Sequence, residues 1–108
     1  MIQENIVNAI RSVPTLTYAA AAQVVDAAIG AAEAEGVPVN VAVADPGGNL
    51  IVFARMDGAA LMSGRIAQDK AYTVAAFNGL PTHRWYPMIA DEPALLTGIV
   101  HTDRLVVF

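Results

Sequence analysis

Two β-rich runs separated by a five-residue break constrain this chain more than anything else in it. The first, residues 37–44, reads Val37-Pro38-Val39-Asn40-Val41-Ala42-Val43-Ala44, and the second, residues 50–56, reads Leu50-Ile51-Val52-Phe53-Ala54-Arg55-Met56. Asp45-Pro46-Gly47-Gly48-Asn49 stands between them. Glycine reaches positive φ without steric cost, proline fixes its own φ, and Asp and Asn bond nearby amides, so the break is suited to a tight reversal. The pattern predicts an antiparallel β-hairpin.

Helical periodicity surrounds it. Ile2, Ile6, Val7, Ile10 and Val13 recur at spacings of three and four, an amphipathic segment over residues 1–13 that Pro14 ends. Thr15 or Thr17 can cap a long helix running to about Glu35 and closed by Gly36, with Tyr18, Ala21, Ala22, Val25, Ala28, Ile29 and Ala32 on its apolar face. Asp57-Gly58 breaks the second strand, and residues 60–77 carry helix spacing through Leu61, Met62, Ile66, Ala67, Ala71, Val74 and Ala75. Asn78-Gly79-Leu80-Pro81 stops that helix, and Pro87 and Pro93 block any long helix beyond it. A short helix over residues 82–88, a loop over residues 98–103 and a final strand, Arg104-Leu105-Val106-Val107-Phe108, complete the order. Helices around a hairpin and a further strand indicate one α+β domain over residues 1–108, an antiparallel sheet flanked by helices.

Hydrophobic residues make up 56% of the chain, against about 45–50% in soluble proteins. Alanines filling core positions account for part of this. A large buried interface accounts for it together with the final run, which has no turn or polar tail after it and presents an unpaired apolar edge. Three strands are also few for a sheet under this much helix. The expectation is a sheet incomplete in this chain and completed after Phe108 by a second polypeptide. A net charge of −4 with Lys and Arg spread singly gives no basic stripe for nucleic acid. No long apolar run predicts a membrane span, and the N-terminus has no signal-peptide pattern. With no cysteine, disulfides, thiolate catalysis and Cys-ligated metals are excluded. A cytoplasmic location is the default expectation, to which the lack of cysteine adds nothing.

The stretch from Val43 to Leu50, followed by Phe53-Ala54-Arg55-Met56-Asp57-Gly58-Ala59, resembles the GlcG/HbpS family of haem-binding-type proteins. Ala67-Gln68-Asp69-Lys70-Ala71-Tyr72-Thr73-Val74-Ala75-Ala76-Phe77 is similar to that family's Lys-Ala-x-Thr helix, and Leu80-Pro81-Thr82 also fits. The matches cover roughly residues 15–108. The resemblance implies a profilin- or PAS-like fold, assembly into symmetric homo- or hetero-oligomers, and haem or a related tetrapyrrole as ligand. Family members continue after the final strand with a glycine-rich turn, a hairpin and a helix, which this sequence lacks; a shortened chain, a split gene and cleavage of a precursor all produce that pattern. Fold transfers well from such a match and function poorly.

Several residues can carry chemistry. Lys70 and Thr73 lie three apart on one helix, so they can face one pocket and bind a carboxylate; the plain alternative is an exposed Asp69–Lys70 surface with Thr73 as a spacer. Arg55, Asp57 and Gly58 occupy the strand-to-helix switch, where Arg55 can pair with a carboxylate and Asp57 can cap the helix. Asp45 beside Pro46 most simply organises its own turn. His83 opens an aromatic and basic cluster with Arg84, Trp85 and Tyr86, readable as a ligand wall or as a loop packed on the sheet edge or a partner. His101 reads as solvent-exposed. No metal motif, Gly-rich phosphate loop or nucleophile elbow is present, and Ser63 matches none of them.

Two functions from different classes follow. In the first, an oligomeric haem or small-carboxylate binder, Lys70, Thr73 and Arg55 hold the carboxylates, His83 approaches the iron, and Trp85 and Tyr86 stack on the ligand. In the second, a cofactor-independent isomerase, hydratase or lyase, His83, Asp57 and Lys70 move protons on a small carboxylate or carbonyl compound, with the active site shared with a second chain. A purely structural subunit is the bland third.

Overall fold

The computed structural model describes residues 9–108. The amphipathic segment expected over residues 1–13 therefore lies mostly outside the described residues, and its end, residues 9–13, is not helical. Helix α1 spans Tyr18–Glu35. Thr17 is its N-cap, its hydroxyl accepting from the Ala20 amide at 3.1 Å, and Gly36 closes it in the left-handed conformation. Ala21, Val25 and Ala32 are buried on one stripe, whose small side chains bring the helix close to the hairpin. Tyr18, expected on that stripe, is instead exposed at the first turn.

Strands β1, Asn40–Ala44, and β2, Leu50–Arg55, pair antiparallel, with Asn40 opposite Arg55 and Val43 opposite Val52. A bulge between Val43 and Ala44 lets the five-residue turn close. The turn is tied by Asp45: its amide donates to Asn49 O, its carbonyl accepts from Gly48 N, and its Oδ1 accepts from the Gly47 and Asn49 amides, each at 2.9 Å. The expected hairpin is thus present, its turn organised by the expected aspartate.

Helix α2, Leu61–Ala76, lies mainly against β1. Gly64 permits this close approach, since a Cβ there would meet the Phe53 ring at 3.3 Å and Asn40 Oδ1 at 3.4 Å. The Asn40 amide in turn donates to Ala60 O at 3.1 Å and Ser63 Oγ at 2.6 Å, joining β1 to the start of the helix. Leu61 and Met62, read above as part of the packed pattern, are 84% and 76% exposed because they precede the turn that meets the sheet.

After α2 the chain folds back through a 3-10 turn, Thr82–Arg84, into α3, Trp85–Ile89, and α4, Pro93–Gly98, then a second 3-10 turn, Ile99–His101. The short helix expected over residues 82–88 corresponds to the first turn and α3. Helix α4 was not anticipated. The helices here are short, as Pro87 and Pro93 require, and Pro93 sits in the first turn of α4, where its missing N–H has no partner to lose. Ile89 is fully buried, which stabilises by about 1.5–3 kcal/mol.

The final strand needs correction. Among the described residues the sheet has two strands only, and residues 105–108 join no ladder. Arg104 adopts φ 62°, and Val106 donates its amide to a side chain of α2 rather than to a strand.

Candidate functional site

The residues singled out from sequence converge in part where α2 meets residues 104–108. Thr73 is 1% exposed. Its hydroxyl donates to Arg104 O and accepts from the Val106 amide, both at 3.0 Å. One turn earlier, Asp69 accepts from Arg104 Nε at 3.0 Å and from Arg65 Nε at 3.3 Å. The Arg104 guanidinium also lies 4.1 Å from the Tyr72 ring centre, and Lys70 Nζ lies 4.5 Å from that of Phe108. Lys70 and Thr73 therefore share a helix face, as their spacing required, and both turn toward the C-terminal segment. Sequence reasoning missed Asp69, Tyr72 and Arg104. Only the Arg65–Asp69 spacing of four was a visible signal, since Arg104 is distant in the chain.

A pocket of about 180 Å³ opens beside this seam. Asn78 and Gly79, both at positive φ, end α2, and the Gly79 amide donates to Val74 O at 2.8 Å. That reversal returns Trp85 to the end of the helix, where its ring lies 4.7 Å from that of Phe77 at 50°. Trp85 is 4% exposed, and its buried Nε1 has no hydrogen-bond partner among the described residues. Thr73, Ile99, Thr102, Asp103 and Leu105 help to complete the walls. Tyr86, His83 and Arg84 are exposed and do not line it.

A second, wider groove of about 830 Å³ runs between residues 14–16, the turn end of β1 and the last turns of α2. Its lining is mainly apolar, and Asp45 is its one ionisable residue among the described residues. Hydrogen bonds from the Asn49 amide, the Asn49 side chain and the Gly47 amide hold the Asp45 carboxyl below its usual pKa, against the opposing effect of desolvation. A depressed folded-state pKa contributes stability that is present above the ordinary carboxylate value and lost as pH falls through the lowered one. Acid titration of the urea midpoint should therefore show wild type losing more stability than Asp45→Asn, whose side chain cannot titrate; matching acid profiles would contradict this assignment.

Arg55 and Asp57 lie elsewhere. Arg55 is exposed opposite Asn40, at the end of the hairpin that meets the start of α2, about two and a half helical turns from Lys70. Asp57 is exposed and does not cap α2, whose N-cap is Ala60 without a side-chain bond. No hydrogen bond or ion pair among the described residues connects His83, Asp57 and Lys70. No cluster of three His, Asp or Glu suited to a metal ion occurs among the described residues.

A family model described as haem degrading protein HbpS-like matches residues 16–108. Among solved structures, ORFY of Klebsiella pneumoniae superposes with a TM-score of 0.82 at 31% identity, over 92% of this chain and 68% of that one. HbpS superposes with a TM-score of 0.72 at 37% identity, over 82% of this chain and 62% of that one. A double mutant of Streptomyces reticuli HbpS gives the same score and identity, and this chain spans 60% of its length. No curated protein matches at a significant level.

Proposed function

The chain belongs to the haem degrading HbpS-like family, and from that premise we propose that it binds haem or a related tetrapyrrole, as one wall of a site shared between polypeptides. Family membership is the observation that carries this reading. The wide groove, about 830 Å³ in volume, contributes mainly apolar surface suited to one face of a large planar ring.

The groove alone does not fit haem. Iron requires an axial His, Met, Tyr or Cys, and propionates favour cations, whereas the groove lining holds none of these among the described residues. Those groups come, in this proposal, from an adjoining polypeptide or from exposed residues that assembly brings near, with Lys70 and Arg55 as candidate carboxylate partners and His83 as a candidate ligand. Exposed Leu61, Met62, Tyr86 and Met88 supply apolar surface for such assembly. A two-stranded ribbon is marginal by itself, so further strands, from a continuation of the chain or from another polypeptide, would also stabilise the free edges of β1 and β2.

Titration with hemin tests the proposal. A saturable shift of the Soret band is expected, weakened about tenfold or more by Val74→Asp, which places a charge in the groove wall. An unshifted Soret band at saturating protein would overturn it.

A further inference from the structure

The wide groove and the segment that leads into it complement each other. Residues 14–16 line the groove, while the described residues just before them, 9–13, are exposed and not helical. Ile10 is 76% exposed and Val13 57%. Ile2, Ile6 and Val7 continue the same apolar spacing in the sequence. A helical stripe this short is marginal in water until a surface covers it. We propose that residues 2–13 form an arm that docks through this stripe in the groove of a second copy of the chain, whose own arm enters the first copy's groove.

Pro14 disfavours the arm's own groove. Its ring fixes φ and biases Val13 to extended backbone, which opposes a reversal of the chain within residues 14–16. Arm and groove adjoin in each copy, so one two-fold axis makes both contacts at once. The mode is an amphipathic segment in an apolar groove. Charge agrees with it. Arg11, between Ile10 and Val13, has no ion pair among the described residues. Asp45 is the groove's one ionisable residue among them, and its Oδ2 meets only Asn49 Nδ2, at 3.3 Å, so it can accept from a guanidinium. Area agrees as well. The chain exposes 7807 Å², against about 5,700 Å² for a folded chain of this size. The surplus, about 2,000 Å², exceeds the roughly 800 Å² per partner that a stable pair buries. The docking requires only the arm and the groove and does not rest on tetrapyrrole binding. It describes the ligand-free protein, because arm and tetrapyrrole would occupy the same groove.

The chain has no cysteine, so introduced thiols report on this contact without background. Ile10→Cys places one on the arm, and Ala75→Cys places one in the groove wall. Full-length chains of the two kinds are mixed without hemin under a disulfide oxidant. The mixed disulfide is expected at least about tenfold faster than between Ile10→Cys and Leu61→Cys, whose thiol stands exposed outside the groove. Ala71→Cys, one turn earlier on the same wall, allows for the register of the arm and replaces Ala75→Cys if that variant fails to fold. No excess at either groove position would overturn the docking. A chain carrying both Ile10→Cys and Ala75→Cys should close into a covalent dimer; closure into a cross-linked monomer would place the arm in its own groove and overturn the exchange. Hemin is absent from the mixture, so the Soret titration succeeds or fails separately.

Discussion

Thr73→Val is expected to destabilise the protein by about 3 kcal/mol, although the two side chains have nearly the same shape. The hydroxyl is both donor and acceptor in a buried position, bonding Arg104 O and the Val106 amide at 3.0 Å. Valine removes it and leaves the Val106 N–H without a partner in apolar surroundings, at about 1–3 kcal/mol, with a smaller loss at the half-buried carbonyl. Thr73→Ser keeps the hydroxyl and should recover most of the loss, leaving about 1 kcal/mol for the missing methyl. Urea denaturation gives the magnitudes, and hydrogen exchange gives the location: the Val106 amide should lose protection in the valine variant only. Serine and valine behaving alike would mean that the hydrogen bonds do not hold the segment. The same experiment separates the two roles offered for Thr73, because a ligand contact alone would leave exchange at Val106 unaltered.

Gly48→Val should cost a similar amount, about 3 kcal/mol, by combining two effects. Gly48 has φ 83°, a region that costs an L-residue about 1–2 kcal/mol and a β-branched one more. A Cβ there would also stand 3.0 Å from Tyr72 Cδ2. The ring cannot withdraw freely, because the Arg104 guanidinium, itself held by Asp69, stacks on it at 4.1 Å. Gly48→Ala should lose about half as much. In a Tyr72→Ala background the alanine cost should fall toward the backbone part alone, since the contact is gone. A double-mutant cycle that showed no coupling would place the whole effect in the backbone.

Much of the fold was legible from short stretches. The hairpin followed from Asp45-Pro46-Gly47-Gly48-Asn49, whose bonds all close within five residues. The start of α1 was narrowed to Thr15 or Thr17, of which Thr17 is the cap, and its end followed from Gly36; the family followed from the hairpin and Lys-Ala-x-Thr elements, which the match over residues 16–108 bears out. Less of the site could be read. His83, Arg84, Trp85 and Tyr86 look like one cluster in the chain, but a 3-10 turn passing into α3 buries Trp85 and leaves the other three exposed. Period alone does not mark that division, because the helix is too short to establish one. Arg55 and Lys70 belong to the same resemblance yet occupy different parts of the domain, Arg55 near the start of α2 and Lys70 about two and a half turns along it.

The sequence by itself thus determined the α+β class, the hairpin and its turn, the span of α1 and the face shared by Lys70 and Thr73. These rest on dihedral preferences, caps and spacings that act within a few residues. The tertiary structure alone decided where residues 104–108 go, that Arg104 joins Arg65 on Asp69, and that Trp85 is buried with an unpaired N–H. The Thr73 bonds span 31 and 33 residues of chain, and no local pattern encodes a partner at that distance. An apolar, β-branched run is equally suited to a ladder or to a helix surface. Val106 lies on α2 because a buried hydroxyl there satisfies its amide.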